Sequence, residues 1–199
     1  MNFRNDFKAD AEVQAQRDWY NGIEFRSKLE SKTAQALDNI GIRYEYEPKG
    51  YKLSNGMWYR PDFYLPDARQ FVECKGVMSS EDSAKVVGLV EDTGKSVLVI
   101  SYDNAMLVMR FWDEPNGEIV AYTGNDYDGI ELGICSECRG MWFYSACDTF
   151  KCRCCGESGG DHHLGVLAHI GSATDLFRYG QSVAADKPIY HEIADNFNN

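Results

Sequence analysis

Apolar side chains between Asn21 and Ile40 recur at spacings of three, four and seven. Phe25, Leu29, Ala36, Leu37 and Ile40 form one stripe, which predicts an amphipathic helix. Asn21 with Glu24 three residues later fits a capping box at its start, and Gly41 fits its stop. "IRYEYEP" (42–48) then alternates as a half-buried strand does. "GMWYRPDFYLP" reads as a second strand and "RQFVECKG" as a third, separated by the turn residues "PDA". "EDSAKVVGLVEDTG" predicts a short helix closing at Gly94, and "KSVLVISY" a buried strand. The order helix, three strands, helix, strand predicts a mixed α/β core. "DEPNG" and "GNDYDG" are turn signals around one more strand, "EIVAYT". Beyond a cysteine-rich stretch and the break "ESGGD", residues Leu164, Leu167, Ile170, Leu176 and Phe177 predict an amphipathic C-terminal helix. Residues 1–20 form an N-terminal arm, a candidate helix whose Trp19 and Tyr20 can pack on the adjoining core.

Composition changes this picture little. With 199 residues, 44% hydrophobic and 26% charged, the chain has room for one compact domain and an appended module. The start carries no apolar run of signal-peptide type, and Val97–Ile100 is far too short to cross a membrane. Both features point to a cytoplasmic protein with no membrane partner. Charge changes more. The net value is −11, yet residues 1–76 hold 12 basic and 12 acidic residues, while residues 77–134 hold 3 against 11. The acidity thus lies in the middle of the chain and counts against tight non-specific binding to DNA.

One stretch, "WYRPDFYLPDARQFVECKG" (58–76), puts charges into strand-like sequence. Residues two apart on a strand share a face, so Glu73 and Lys75 project together while Val72 and Cys74 point to the core. Pro61 removes a ladder donor and places Asp62 at an edge or irregularity. If the second and third strands form a hairpin, Asp62 approaches Glu73. Two carboxylates and a backbone carbonyl, that of Cys74, make a hard-oxygen pocket suited to Mg²⁺. Lys75 would then orient or deprotonate a water, or stabilise developing charge, and Glu30 on the first helix would lean over the same place. Taken singly, Pro-Asp is a common turn dipeptide and Glu-x-Lys a common surface ion pair. Ser27-x-x-Glu30 also has capping-box spacing.

"RPDFYLP…FVECKG" resembles the PD-(D/E)xK nuclease superfamily, with Pro61-Asp62 and Glu73-Cys74-Lys75 as its signature. "SKLESKTAQALDNIGIRYEYEP" extends the resemblance to small phage and mobile-element members, and it is similar to the phage junction-resolving endonuclease I type. The match runs from about Phe25 to Tyr102. It implies a restriction-endonuclease-like core and a Mg²⁺- or Mn²⁺-dependent DNA endonuclease. It also implies that the family's helix glutamate falls on Glu30, its aspartate on Asp62 and its E-x-K pair on Glu73 and Lys75. The chain then divides into an arm (1–20), a nuclease core (21–130), a zinc-ribbon module (131–160) and a C-terminal helical segment (161–199).

Six of the seven cysteines lie between Cys135 and Cys155. Cys135-x2-Cys138 and Cys152-x2-Cys155, thirteen residues apart, bring four thiolates to one tetrahedral Zn²⁺ and resemble a zinc ribbon, with "MWFY" as a strand. Cys147 and Cys154 are left over, and Cys154 is able to replace a knuckle partner. Adjacent His162 and His163 suit a helix entry better than chelation of one ion. The ribbon would stabilise a small module, grip DNA or dock a partner. Cutting two strands needs two sites, which makes a homodimer one expected assembly. A competing reading is a catalytically silent nuclease-fold protein that docks a protein partner through its acidic surface and ribbon. RNA is a third substrate class.

Overall fold

The computed structural model describes residues 16–111, 116–124, 129–145, 151–157 and 164–186. Its centre is a six-stranded sheet built from β3 (Glu45–Tyr46), β6 (Phe63–Leu65), β7 (Gln70–Cys74), β8 (Val97–Ile100), β9 (Ala105–Arg110) and β10 (Ile119–Thr123). Their spatial order is β10-β9-β8-β7-β6-β3. β7 and β8 are parallel, joined by helix α2 (Ser80–Thr93), and the other neighbours are antiparallel. Burial on both faces explains why these strands read as continuous apolar runs rather than alternating ones. Val72, Cys74, Leu98, Ile100, Leu107 and Met109 join one buried cluster with helix α1 (Lys28–Ile40). Phe71, Val97, Val99, Met106 and Val108 join a second with α2. β9, whose "AMLVMR" no turn signal separated from its neighbours, is an addition to the predicted elements.

The chain entry differs from expectation. Residues Asp18–Tyr20 (β1) and Ile23–Phe25 (β2) form an antiparallel hairpin, so neither the end of the arm nor the segment from Asn21 is helical. Asn21 and Gly22 carry φ of 50° and 79°, the pair of positive values that a two-residue hairpin turn needs, and Asn-Gly adopts them readily. Ser27 is the true N-cap of α1, its side chain accepting the Glu30 N–H, while Gly41 ends the helix as predicted. The predicted second strand is two. Trp58–Tyr59 (β5) pairs with Tyr51–Lys52 (β4) in a separate ribbon, and Pro61 breaks the run before β6.

The C-terminal part is a three-stranded sheet, β12-β11-β13, from Ile130–Cys135 (β11), Met141–Ser145 (β12) and Leu164–His169 (β13). The predicted C-terminal helix therefore gives up its first half to a strand. Its second half is helix α3 (Ala173–Asp186), which packs on α1. The apolar spacing of 164–177 serves both, because β13 needs period two and α3 period 3.6 on either side of Gly171-Ser172. Cys147, His162, His163 and most of both turn signals lie outside the described residues. No described helix is long and apolar enough to cross a membrane.

Gln70 ties the two sheets together. It is fully buried, and its amide treats β12 as a neighbouring strand would: Nε2 donates to Phe143 O at 2.6 Å and Oε1 accepts the Phe143 N–H at 2.8 Å. Nε2 also donates to Ser96 Oγ at 2.8 Å. Gln70→Leu strands a buried N–H and C=O together. It is expected to cost about 3 kcal/mol in urea unfolding, whereas exposed Lys52→Leu stays within about 0.5 kcal/mol.

Candidate active site and metal centre

The β6–β7 ladder pairs Phe63 with Val72, so one step further out Asp62 meets Glu73. The two are held by reciprocal backbone bonds. Asp62 N–H donates to Glu73 Oε2 at 3.2 Å, and Cys74 N–H donates to Asp62 Oδ2 at 2.8 Å. Both carboxyl groups are almost wholly buried, at 3% and 2% exposure, so Glu73 does not occupy a solvated strand face. Lys75 Nζ lies 3.2 Å from Glu73 Oε1 and 3.2 Å from Asp82 Oδ1 on α2, a bridge that the E-x-K spacing alone does not reveal.

Glu30 arrives from the first turn of α1. It closes the helix start, as the bland reading of Ser27-x-x-Glu30 has it, with Ser27 Oγ donating to Oε1 at 2.8 Å. Its other oxygen accepts the Tyr46 hydroxyl at 2.6 Å. Glu30 and Asp62 meet through Arg26, which pairs with Asp62, approaches Glu30 at 3.8 Å and pairs with Glu47 at 2.9 Å. Arg60 holds the other Glu47 oxygen at 3.0 Å. Sequence reasoning missed Arg26, Glu47 and Tyr46. The one available signal was the position of Arg26, immediately before the cap Ser27. Glu47 reaches its place through φ of 44°, which turns the chain sharply out of β3.

Burial, then repulsion from Glu73 and Glu30, pushes the Asp62 carboxyl up to about 8. Burial likewise raises Glu73, against the pull of Lys75. For Lys75, burial disfavours the charge, but Glu73 and Asp82 outweigh it and raise the ammonium above its ordinary value. Tyr59, buried with its hydroxyl toward Glu73, is raised by burial and then by that carboxylate. Glu30, Glu47, Asp62, Glu73 and Asp82 face Arg26, Arg60 and Lys75, five acids against three bases. The formal residue is −2, the charge that one divalent cation would balance on displacing Arg26 or Lys75 from a carboxylate oxygen.

The chain is similar to phage endonucleases. It is 45% identical over 65 residues to "Endonuclease I" of Escherichia phage T7, covering 31% of this chain and 42% of that protein. It is 40% identical over 68 residues to "Endodeoxyribonuclease 1" of Enterobacteria phage T3, covering 32% and 43%. The chain thus spans about two fifths of the length of these curated relatives. No protein-family profile matches it.

Cys135, Cys138, Cys152 and Cys155 converge at the other end of the sheet, their sulfurs all within 4.8 Å of one another. Cys138 and Cys152 are 3.6 Å apart and Cys135 and Cys155 4.0 Å, near the ~3.8 Å edge of a tetrahedron with Zn–S of about 2.3 Å. Gly140 N–H points at Cys138 Sγ, and Cys154 and Cys155 N–H at Cys152 Sγ, each at 3.4 Å. These four thiols have the geometry to hold a metal ion such as zinc. Cys154 stands outside the cluster. Its thiol, pushed up to about 12 by burial and then by Cys152 and Cys138, packs where a Gly140 Cβ would otherwise sit.

An acid whose folded pKa is raised stabilises the fold while protonated, so metal-free protein should lose stability as pH rises from about 4 through 8. In thermal melts Asp62→Asn should flatten that slope and raise the metal-free Tm at pH 8, and added Mn²⁺ should stabilise the wild type but not the variant. For the thiol cluster, elemental analysis should find about one zinc per chain. Cys138→Ser should lose it with a fall in Tm, while Cys154→Ser should keep it.

Proposed function

We propose that the chain is a metal-dependent DNA endonuclease of phage type, hydrolysing phosphodiester bonds and acting on branched DNA. Its core would be restriction-endonuclease-like, spanning about residues 21–130, with a zinc ribbon at 131–160, working in the host cytoplasm. The observation that carries the reading is the buried Asp62–Glu73 pair. A protein that only bound a partner would gain nothing from two carboxyls desolvated against each other. The similarity to two named phage endonucleases supports it.

Asp62, Glu73 and the Cys74 carbonyl would hold Mg²⁺ or Mn²⁺, with Glu30 supporting them. When bound, the ion supplies charge neutralisation at the phosphoryl oxygens and acidifies a water. Lys75, kept cationic between Glu73 and Asp82, is suited to hydrogen-bond the attacking water and to stabilise charge developing on phosphorus-bound oxygen. Arg26, half-exposed while it holds Asp62 and Glu47, is placed to reach a phosphate with its exposed side. Water would attack phosphorus in line as the bond to the leaving oxygen breaks. The water's proton would pass to solvent and the leaving oxygen would take one up from solvent, while the two backbone bonds hold the carboxylates in place.

Purified protein with Mg²⁺ or Mn²⁺ should nick supercoiled plasmid and cut four-way junctions faster than linear duplex. Asp62→Asn, Glu73→Gln and Lys75→Ala should each lower the rate by about 10²-fold or more while far-UV circular dichroism stays unchanged. Wild-type rates in all three variants would overturn the active-site assignment, and preferential cutting of RNA would overturn the substrate.

A further inference from the structure

Two clefts of about 500 and 450 Å³ flank the cysteine cluster and adjoin at Ala68, Arg69, Cys154 and Cys155, so together they make one grooved surface. Six cations line it: Arg43, Arg69, Lys95, Arg139, Lys151 and Arg153. Among the described residues, Asp67 is the one carboxylate in the lining, and Arg43 already holds it. In a chain of net −11 this groove is formally +5, and still +3 after the −2 of a four-thiolate zinc centre. Among the described residues, Arg69, Lys95, Lys151 and Arg139 form no salt bridge, while Arg153 is anchored on Ser96 Oγ at 2.6 Å. None of the exposed large apolar side chains among the described residues reaches it. The lining therefore suits a polyanion rather than an apolar ligand or peptide face.

The groove lies at the opposite end of β6 and β7 from the carboxylates. Arg69 precedes β7 and Glu73 is its fourth residue, a separation of about 13 Å along the strand, or roughly four base-pair rises. We propose that this groove is a second DNA-binding site, gripping the phosphate backbone of a duplex arm away from the cleaved bond. That role rests on the nuclease reading. It also gives the cysteine module a purpose. The second knuckle carries Lys151 and Arg153 and the first carries Arg139, so metal binding would hold three of the six cations in position.

The test uses full-length, zinc-loaded protein and the triple variant Arg69→Gln/Arg139→Gln/Lys151→Gln. Fluorescence anisotropy with a labelled 30-bp duplex and a four-way junction, in Ca²⁺ across a salt series, should show binding weakened at least about tenfold. The log–log salt slope should fall by about 2 to 3. With Mg²⁺, kcat should hold while KM rises on long-armed substrates, and a duplex too short to reach the groove should be cut as by wild type. Lys95→Gln, outside the cysteine module, should lower the slope by about one even if the triple variant loses zinc. Unchanged affinity and slope in both variants would overturn the site. If wild type cuts no nucleic acid but the variants lose DNA binding, the groove stands and the nuclease reading falls. Equal displacement by duplex RNA or polyglutamate would overturn the assignment to DNA.

Discussion

The Asp62 and Glu73 carboxyls are held through the backbone: Glu73 accepts the Asp62 N–H at 3.2 Å, and Asp62 accepts the N–H of Cys74, the residue after Glu73, at 2.8 Å. That mutual grip exists because Pro61 ends the ladder just where Asp62 must turn inward, leaving its N–H and carboxylate to bond a side chain and a backbone amide instead of a strand. Everything around the pair compensates for bringing negative charge out of water. Arg26 neutralises one side, Lys75 the other, and Glu47 and Asp82 hold those cations in turn. Carboxylates buried in this way are costly unless cations balance them, and in the proposed nuclease a divalent ion would share that task with Arg26 and Lys75.

The rest of the fold keeps the Asp62–Glu73 pair buried. β7 is buried on both faces, so Glu73 cannot swing out without opening the sheet. α1 brings Glu30 and is itself covered by α3, and the C-terminal sheet docks through the buried amide of Gln70. The cysteine knuckles stand at one end of β6 and β7 and the carboxylates at the other. One hydrophobic cluster includes residues of α1, the central sheet and the cysteine module, joining the two ends mechanically. A metal held by Cys135, Cys138, Cys152 and Cys155 would thus brace a surface that also carries the groove's basic side chains.

Much of this was legible beforehand for definite reasons. The interior helix spans, the strand–helix–strand order of β7, α2 and β8 and the approach of Asp62 to Glu73 follow from periodicity and from a proline placed before an aspartate. The misreadings have equally definite causes. Asn21-Gly22 is a hairpin turn whose flanking apolar residues also satisfy helical spacing, and only pairing between β1 and β2 decides between them. Residues 164–177 carry a pattern compatible with two periods, and β11 supplies the edge that makes the first half a strand.

Chain order by itself determined the pairs of ligand-type residues, because two knuckle cysteines three positions apart or an E-x-K on a strand are local geometry. It also marked Val97–Ile100 as a strand buried on both sides, but not β7 or β9. Only the tertiary structure decided which counter-charges reach those ligands: Arg26, Glu47 and Asp82 come from three separate parts of the chain, and electrostatic partnership depends on distance in space rather than on spacing along the chain. The basic groove has the same origin, since its six cations are scattered from Arg43 to Arg153 and become one surface only when the knuckles fold against the β6–β7 turn.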